Sequence, residues 1–179
     1  MKTFDAIQAL RTFDKKGKYV FIKHDMAKLF PYDSPKALDE GLIRLVKAGL
    51  IKRACRGIYV NENAYCFDGY IIEHIAKALR RSAYNYVSLE SALSEYGSIS
   101  QIPLDRLTVM TTGRKGVHKT QYGVIEFTHT KRSVINILDH IQTVTGRPLR
   151  VATQETALRD LKRVGRNLHL LQPEALDDE

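Results

Sequence analysis

Basic side chains that could contact nucleic-acid phosphates are concentrated near the N-terminus. Residues 1–60 contain 13 Lys and Arg against 6 Asp and Glu, whereas residues 61–179 contain 15 against 14. A cation excess confined to one third of a chain is typical of a nucleic-acid-binding module, because the phosphates supply the opposite charge. The cations predicted to contact DNA lie close together in the sequence: Lys36, Arg44, Lys47, Lys52, Arg53 and Arg56.

Residues that could perform catalysis form no complete set. The six histidines occur in neither H-x-x-x-H nor H-E-x-x-H spacing: His24, His74, His118, His129, His140 and His169. Asp105 and Glu126 could form the carboxylate pair of a nuclease, but Thr128 stands where the lysine of such a site would be. The turn Gly113–Gly116 is too short for a phosphate-binding P-loop. We therefore expect no enzyme and no cofactor.

Nucleophiles and metal ligands are similarly sparse. Ser88, Ser91 and Ser94 are interpreted as helix-cap and surface residues, because no base and orienting group accompany them. Cys55 and Cys66 fit no zinc pattern, and we expect both to be free thiols. Glu126 and His129 would face opposite sides of a strand, so we expect no metal site.

The cations at residues 36–56 must be positioned by a helix and a hairpin. Ser34 and Pro35 are a good N-cap and first helical residue, and Gly49 stops the helix after about Ala48. Two β-prone runs, 50–54 and 57–60, then form a hairpin with Arg56 near its tip.

Two shorter helices are expected before this basic helix. One covers residues 3–13, and Asp25 would cap the other; a β-prone run at 19–22 separates them. Three helices followed by a basic hairpin indicate a winged helix-turn-helix over residues 1–62. Its third helix would enter the DNA major groove, with the hairpin along phosphates or the minor groove.

The rest of the chain predicts a small mixed α/β domain over residues 69–172. Helices are expected at 69–81, from Ser88 to Tyr96–Gly97, and from Thr153 to Leu161; strands are expected at 107–111 and 123–127, joined by a flexible basic turn. Residues 173–179 form an acidic tail expected to fray. A basic surface of this domain is predicted from these side chains: Arg80, Arg81, Arg114, Lys115, Lys131 and Arg132.

The order of several segments resembles AbiEi-type antitoxins. Residues 45–53 and 56–59 are similar to that family's winged-helix segment. The second module carries the more specific similarity, in these segments: 86–97, Ile102–Pro103 leading to 108–113, 123–129 and 152–161. The similar segments span most of the chain, from about residue 3 to residue 165.

The resemblance implies the antitoxin of a toxin–antitoxin or abortive-infection pair. Such antitoxins repress their own operon through the winged helix, and their partner is a nucleotidyltransferase toxin. Their C-terminal domain contributes to neutralisation, often without a stable complex with the toxin. The chain is short for that family, so we expect a trimmed C-terminal domain.

The sequence therefore predicts an α+β protein, with a winged helix followed by a small mixed domain, that represses transcription from its own promoter. No apolar run approaches the ~20 residues of a membrane helix, and the N-terminus lacks a signal peptide, so we expect no membrane partner and a cytoplasmic location. A nuclease-like enzyme and a protein-docking winged helix remain alternatives. The second domain would either neutralise the toxin or dimerise the repressor on two half-sites.

Overall fold

The computed structural model describes residues 1–99 and 105–172, which form two compact units. The first unit is Met1–Leu79 and the second begins at Arg80. Each unit combines helices with one β-sheet, so the α+β class is confirmed. The Ile102–Pro103 segment and the acidic tail 173–179 lie outside the described residues. Within those residues, no helix is long and apolar enough to span a membrane.

The first unit alternates helices with short strands. Its elements are α1 (Thr3–Asp14), β1 (Val20–Ile22), α2 (Lys23–Leu29), α3 (Pro35–Lys47), β2 (Lys52–Cys55), β3 (Ile58–Val60) and α4 (Ile71–Leu79). The three strands pair antiparallel in the order β1-β3-β2. The helices α1, α2 and α3 bury one apolar cluster that includes Leu10, Met26 and Leu42.

Helix α3 forms where its capping residues predict. The Ser34 Oγ accepts a hydrogen bond from the Ala37 N–H at 3.2 Å, and Pro35 occupies the first helical position. Gly49 follows the C-cap with a φ of 69°, a left-handed conformation that favours glycine. Leu38, Leu42 and Leu45 are buried along one face of the helix. The opposite face is therefore turned to solvent.

Helix α2 begins two residues earlier than its predicted cap. Lys23 is its first residue and Ile22 occupies the N-cap position, so the assignment of Asp25 as the cap is wrong. The Lys23 N–H still donates to the Gly57 carbonyl at 2.8 Å, and the helix follows β1 without a spacer. The Asp25 Oδ2 instead forms an ion pair with the Lys18 Nζ at 3.2 Å.

Helix α4 packs within the first unit, against β1 and β3. The buried face of α4 includes Ile75 and Ala76, which are both fully buried. The Tyr19 ring lies 4.8 Å from the His74 ring between centroids, and the Tyr19 hydroxyl donates to Asp68 at 2.7 Å. The sequence predicts this helix at the start of the second domain, whereas it belongs to the first unit. The structure divides the chain after Leu79 because these contacts hold α4 to the first sheet.

The second unit is built on one mixed sheet. Its elements are β4 (Asn85–Val87), α5 (Leu89–Glu95), β5 (Arg106–Thr111), β6 (Gly116–Thr120), β7 (Gly123–His129), α6 (Val134–Leu138), β8 (Ile141–Gln142), β9 (Arg150–Ala152) and α7 (Gln154–Val164). The strand order is β6-β7-β5-β4-β9-β8. Strand β5 pairs parallel with β7, and β4 pairs parallel with β9. Helices α5 and α7 pack against each other. The Thr153 cap predicted for α7 is confirmed, since its Oγ1 accepts from the Thr156 N–H at 3.3 Å.

Candidate nucleic-acid interface

Helix α3 carries three of the six cations predicted to contact DNA. Lys36, Arg44 and Lys47 are all exposed to solvent. Lys36 lies in the first turn, where the helix N-terminus adds a partial positive charge and unpaired backbone N–H groups. The amphipathic pattern of α3 thus buries its leucines and presents its cations.

The β2–β3 hairpin carries the other three cations. Cys55 pairs with Ile58, so Arg56 and Gly57 form the connecting turn. Gly57 has a φ of 79°, a left-handed backbone conformation that residues with a side chain rarely adopt. Lys52, Arg53 and Arg56 are exposed along one arm and the tip of the hairpin. The predicted basic hairpin is confirmed in position.

The six cations differ in whether they already have partners. The Lys52 Nζ forms an ion pair with Glu62 at 2.6 Å, and the Arg44 Nη2 donates to the Met1 carbonyl at 2.8 Å. Within the described residues, no ion pair or hydrogen bond engages four of the side chains: Lys36, Lys47, Arg53 and Arg56. These four are termed the unpaired cations.

Two carboxylates share helix α3 with the cations. The Asp39 carboxylate is paired with Lys23 at 2.6 Å, which neutralises its charge locally. The Glu40 side chain is exposed and forms no ion pair with any residue in the described ranges 1–99 and 105–172. Glu40 is therefore the one α3 carboxylate, among the described residues, whose charge is not compensated by a neighbour.

The predicted basic surface of the second unit is divided between exposed and inward-turned side chains. Arg81, Arg114, Lys115 and Lys131 are exposed. By contrast, Arg132 has only 16% of its side chain exposed and forms an ion pair at 2.9 Å with the fully buried Asp160.

Arg80 is turned toward the sheet. Its guanidinium lies 4.8 Å from the centroid of the Phe127 ring. Its Nε donates to the Arg114 carbonyl at 3.1 Å, and its Nη2 lies 3.1 Å from the His118 Nε2. Burial, followed by the charge of Arg80, lowers the pKa of His118. The flexible turn predicted at 112–116 is shorter in the structure, because Gly116 begins β6, and hydrogen bonds from Arg80 and His129 hold its Arg114 and Gly113 carbonyls.

A buried polar cluster surrounds Asp160, which the sequence did not indicate. The Ser88 Oγ donates to the Asp160 Oδ2 at 2.9 Å, and the Tyr86 hydroxyl donates to it at 3.2 Å. Burial and then the Asp160 charge raise the pKa of Tyr86. Ser88 occupies the α5 N-cap position, but its side chain is fully buried and makes no capping hydrogen bond, so the prediction that it caps this helix is wrong. Ser91 was interpreted as a surface residue but is buried, and its Oγ accepts a hydrogen bond from the Thr108 N–H at 2.9 Å.

A second, partly buried network joins Arg166 to two glutamates. The Arg166 Nε donates to Glu90 at 3.0 Å, and its Nη1 is paired with Glu126. Arg106 donates to the other Glu126 oxygen at 2.5 Å. Burial raises the pKa of Glu126, but the hydrogen bonds from Arg166 and Arg106 outweigh burial and bring it below the ordinary value. These partners lie 20 to 76 residues apart in the sequence, so no local pattern could indicate them.

The structure does not assemble the proposed nuclease carboxylates into a metal centre. Both oxygens of Glu126 are held by arginines, while Asp105 precedes β5 with a φ of 57° and accepts the Val124 N–H at its carbonyl. In the described part of the chain, no three His, Cys, Asp or Glu residues are grouped closely enough to hold a metal ion. Cys55 and Cys66 are both free, as predicted.

The α3–hairpin region combines a solvated helix with cations that other side chains leave available. Such a set can bind phosphates through charge and base edges through an exposed helix face. The chain matches no protein-family model and no curated protein. The interpretation of this surface therefore depends on its own residues.

Proposed function

We propose that the chain is a DNA-binding transcriptional repressor whose first unit is a winged helix. The element order of that unit, with α2 and α3 followed by a hairpin, supports this fold. The strand order β1-β3-β2, in which the hairpin joins the strand between α1 and α2, supports it as well. In this proposal α3 lies in the major groove, which is wide enough to admit a helix. The hairpin contacts phosphates or the minor groove.

One observation carries the proposal: on α3 and the hairpin, four exposed cations close together in the fold have no ion pair or hydrogen bond with the described residues, namely Lys36, Lys47, Arg53 and Arg56. A cation already paired with a carboxylate must lose that partner before it can bind a phosphate. An unpaired, exposed cation binds phosphate and releases the condensed counterions, which drives association with DNA. Lys52 and Arg44 can join the interface, but they start from existing contacts.

We further propose that this repressor is the cytoplasmic antitoxin of a nucleotidyltransferase toxin and is not itself an enzyme. The support is the resemblance of its ordered segments to AbiEi-type antitoxins. The first unit would bind the operon's own promoter, and the residues from Arg80 onward would contribute to neutralisation. Residues 1–79 contain 14 Lys and Arg against 9 Asp and Glu, whereas residues 80–179 contain 14 against 11. The larger cation excess in the shorter first unit supports this separation, since bulk attraction to DNA follows net positive charge.

The direct test is the salt dependence of binding to duplex DNA from upstream of the chain's own gene. Four phosphate contacts predict a slope near −3.6 for the logarithm of affinity against the logarithm of salt, or about a 150-fold loss between 50 and 200 mM. The upstream duplex should bind more tightly than a shuffled duplex of the same composition. No binding, or an affinity independent of salt, would contradict the proposal. Metal-dependent cleavage of DNA or RNA would favour the nuclease alternative.

A further inference from the structure

The solvent face of α3 presents one stripe of four side chains. Lys36, Glu40, Ile43 and Lys47 follow one another at spacings of four, three and four residues, which keeps them on one side of a helix. They lie opposite the buried leucines of α3. Ile43 is 54% exposed although it is apolar. The centre of the stripe is therefore a carboxylate beside an isoleucine, with a lysine at each end.

The Glu40 charge stays uncompensated because neither cation one helical turn away forms an ion pair with it. Arg44, one turn further on, donates to the Met1 carbonyl. Lys36, one turn before, forms no ion pair with Glu40. The adjacent carboxylate, Asp39, is paired with Lys23 at 2.6 Å. Glu40 is thus an available carboxylate between Lys36 and Lys47. In the proposed function, this face of α3 is the one that contacts DNA.

A free carboxylate on such a face has two physical consequences. Near phosphates it is repelled, which weakens binding to every sequence alike. Against a base edge it can accept a hydrogen bond, and the cytosine N4 amino group is the major-groove donor that Glu characteristically contacts. The flanking lysines favour this geometry, because they can hold the phosphates on either side while the carboxylate faces the groove floor.

We propose that Glu40 determines DNA specificity by accepting a hydrogen bond from cytosine N4, with Ile43 against the methyl group of a neighbouring thymine. Glu40 and Ile43 are separated by about 4.5 Å along the helix axis. That rise is close to the ~3.4 Å step between base pairs, so the two side chains can reach neighbouring pairs. This inference rests on the proposed DNA-binding function and names the bases that α3 reads.

The test is selection of binding sites from a duplex library with a randomised central segment. The full-length chain is compared with its Glu40→Ala and Glu40→Gln variants at one salt concentration. The unmodified chain should enrich cytosine at one position of each bound site. Glu40→Ala should reduce that preference about 5- to 150-fold and leave the other positions unchanged. Glu40→Gln should move the preference toward adenine, which glutamine contacts through N6 and N7.

Asp39→Asn is the matched control, because it removes a carboxylate charge from the same helix at a position already paired with Lys23. It should leave the cytosine preference unchanged. If both Glu40 variants instead bind all sequences more tightly by one common factor, Glu40 only repels phosphates. The inference is then overturned while the proposed function stands. If the unmodified chain shows neither salt-dependent affinity nor any enriched sequence, the proposed function fails together with the inference.

Discussion

At the scale of single residues, the existing partner of a charge decides what that charge can do. Lys52 and Arg53 are neighbours on β2 and both are exposed, yet only Lys52 is paired, with Glu62. Asp39 and Glu40 differ in the same way on α3. The sequence indicated where the cations are concentrated. It could not separate paired from unpaired ones, since the partners of Arg44 and Lys23 lie 43 and 16 residues away along the chain.

The first residue-scale prediction concerns the hairpin. Replacing both Arg53 and Arg56 by Ala should weaken binding to all duplexes and make the salt slope shallower by about 1.8, because each lost phosphate contact removes about 0.9. Fluorescence anisotropy across a salt series measures the slope. Arg159→Ala is the control, since Arg159 is an exposed arginine of α7 that forms no ion pair with the described residues. An unchanged slope in the folded double variant would exclude these arginines from the interface.

A second residue-scale prediction concerns Glu126 and acid. Its pKa is lower in the folded chain than its ordinary 4.5, so its pairing with Arg166 and Arg106 stabilises the fold above that pH. This contribution is lost as pH falls below about 4.5 through the lowered folded-state pKa. Glu126→Gln should therefore flatten the decline of unfolding free energy over this acid range. Urea titrations at successive pH values measure it.

The control for the acid prediction is Glu155→Gln. Glu155 is exposed on α7 and forms no ion pair within the described part of the chain. Its replacement should leave the acid dependence as it is in the unmodified chain. Equal acid dependence in the Glu126→Gln and unmodified proteins would show that the Arg166 network does not contribute in this way.

At the scale of elements, prediction succeeded where local chemistry determines an end. Helices α3 and α7 begin directly after Ser34 and Thr153, whose side chains cap them. The strands β4, β6, β8 and β9 were not predicted. They have two to five residues each and are defined by their pairing with distant strands, such as β4 with β9.

The element-scale prediction tests the α3 cap. Ser34→Ala removes the acceptor for the Ala37 N–H. That 3.2 Å hydrogen bond satisfies one of the backbone N–H groups that lack a partner within the first turn of the helix. The unfolding free energy should fall by about 1 kcal/mol. Ser34→Thr keeps a hydroxyl and should retain most of the stability. Urea unfolding of the three proteins measures the difference. If the threonine variant loses as much as the alanine variant, the capping hydrogen bond is not the cause.

At the scale of the whole molecule, the division after Leu79 changes which piece of the chain can stand alone. A fragment ending at residue 68 would keep the charge excess but lose α4. Ile75 and Ala76 would then no longer cover β1 and β3, and the Tyr19 ring would lose its contact with His74. A domain this small depends on each buried apolar group. The structure thus favours 1–79 as the unit for testing DNA binding.

The last prediction separates the two proposed activities with fragments 1–79 and 80–179. The 1–79 fragment should bind duplex DNA with the salt slope of the full chain and should resist urea better than 1–68, because α4 covers the sheet. It contains all four unpaired cations, whereas 80–179 should bind the same duplex weakly. Each fragment is also co-expressed with the toxin, which is driven from an unrelated promoter so that repression cannot mimic neutralisation. Growth should return with the full chain and, at least in part, with 80–179. Full rescue by 1–79 alone would refute the assignment of neutralisation to the second unit.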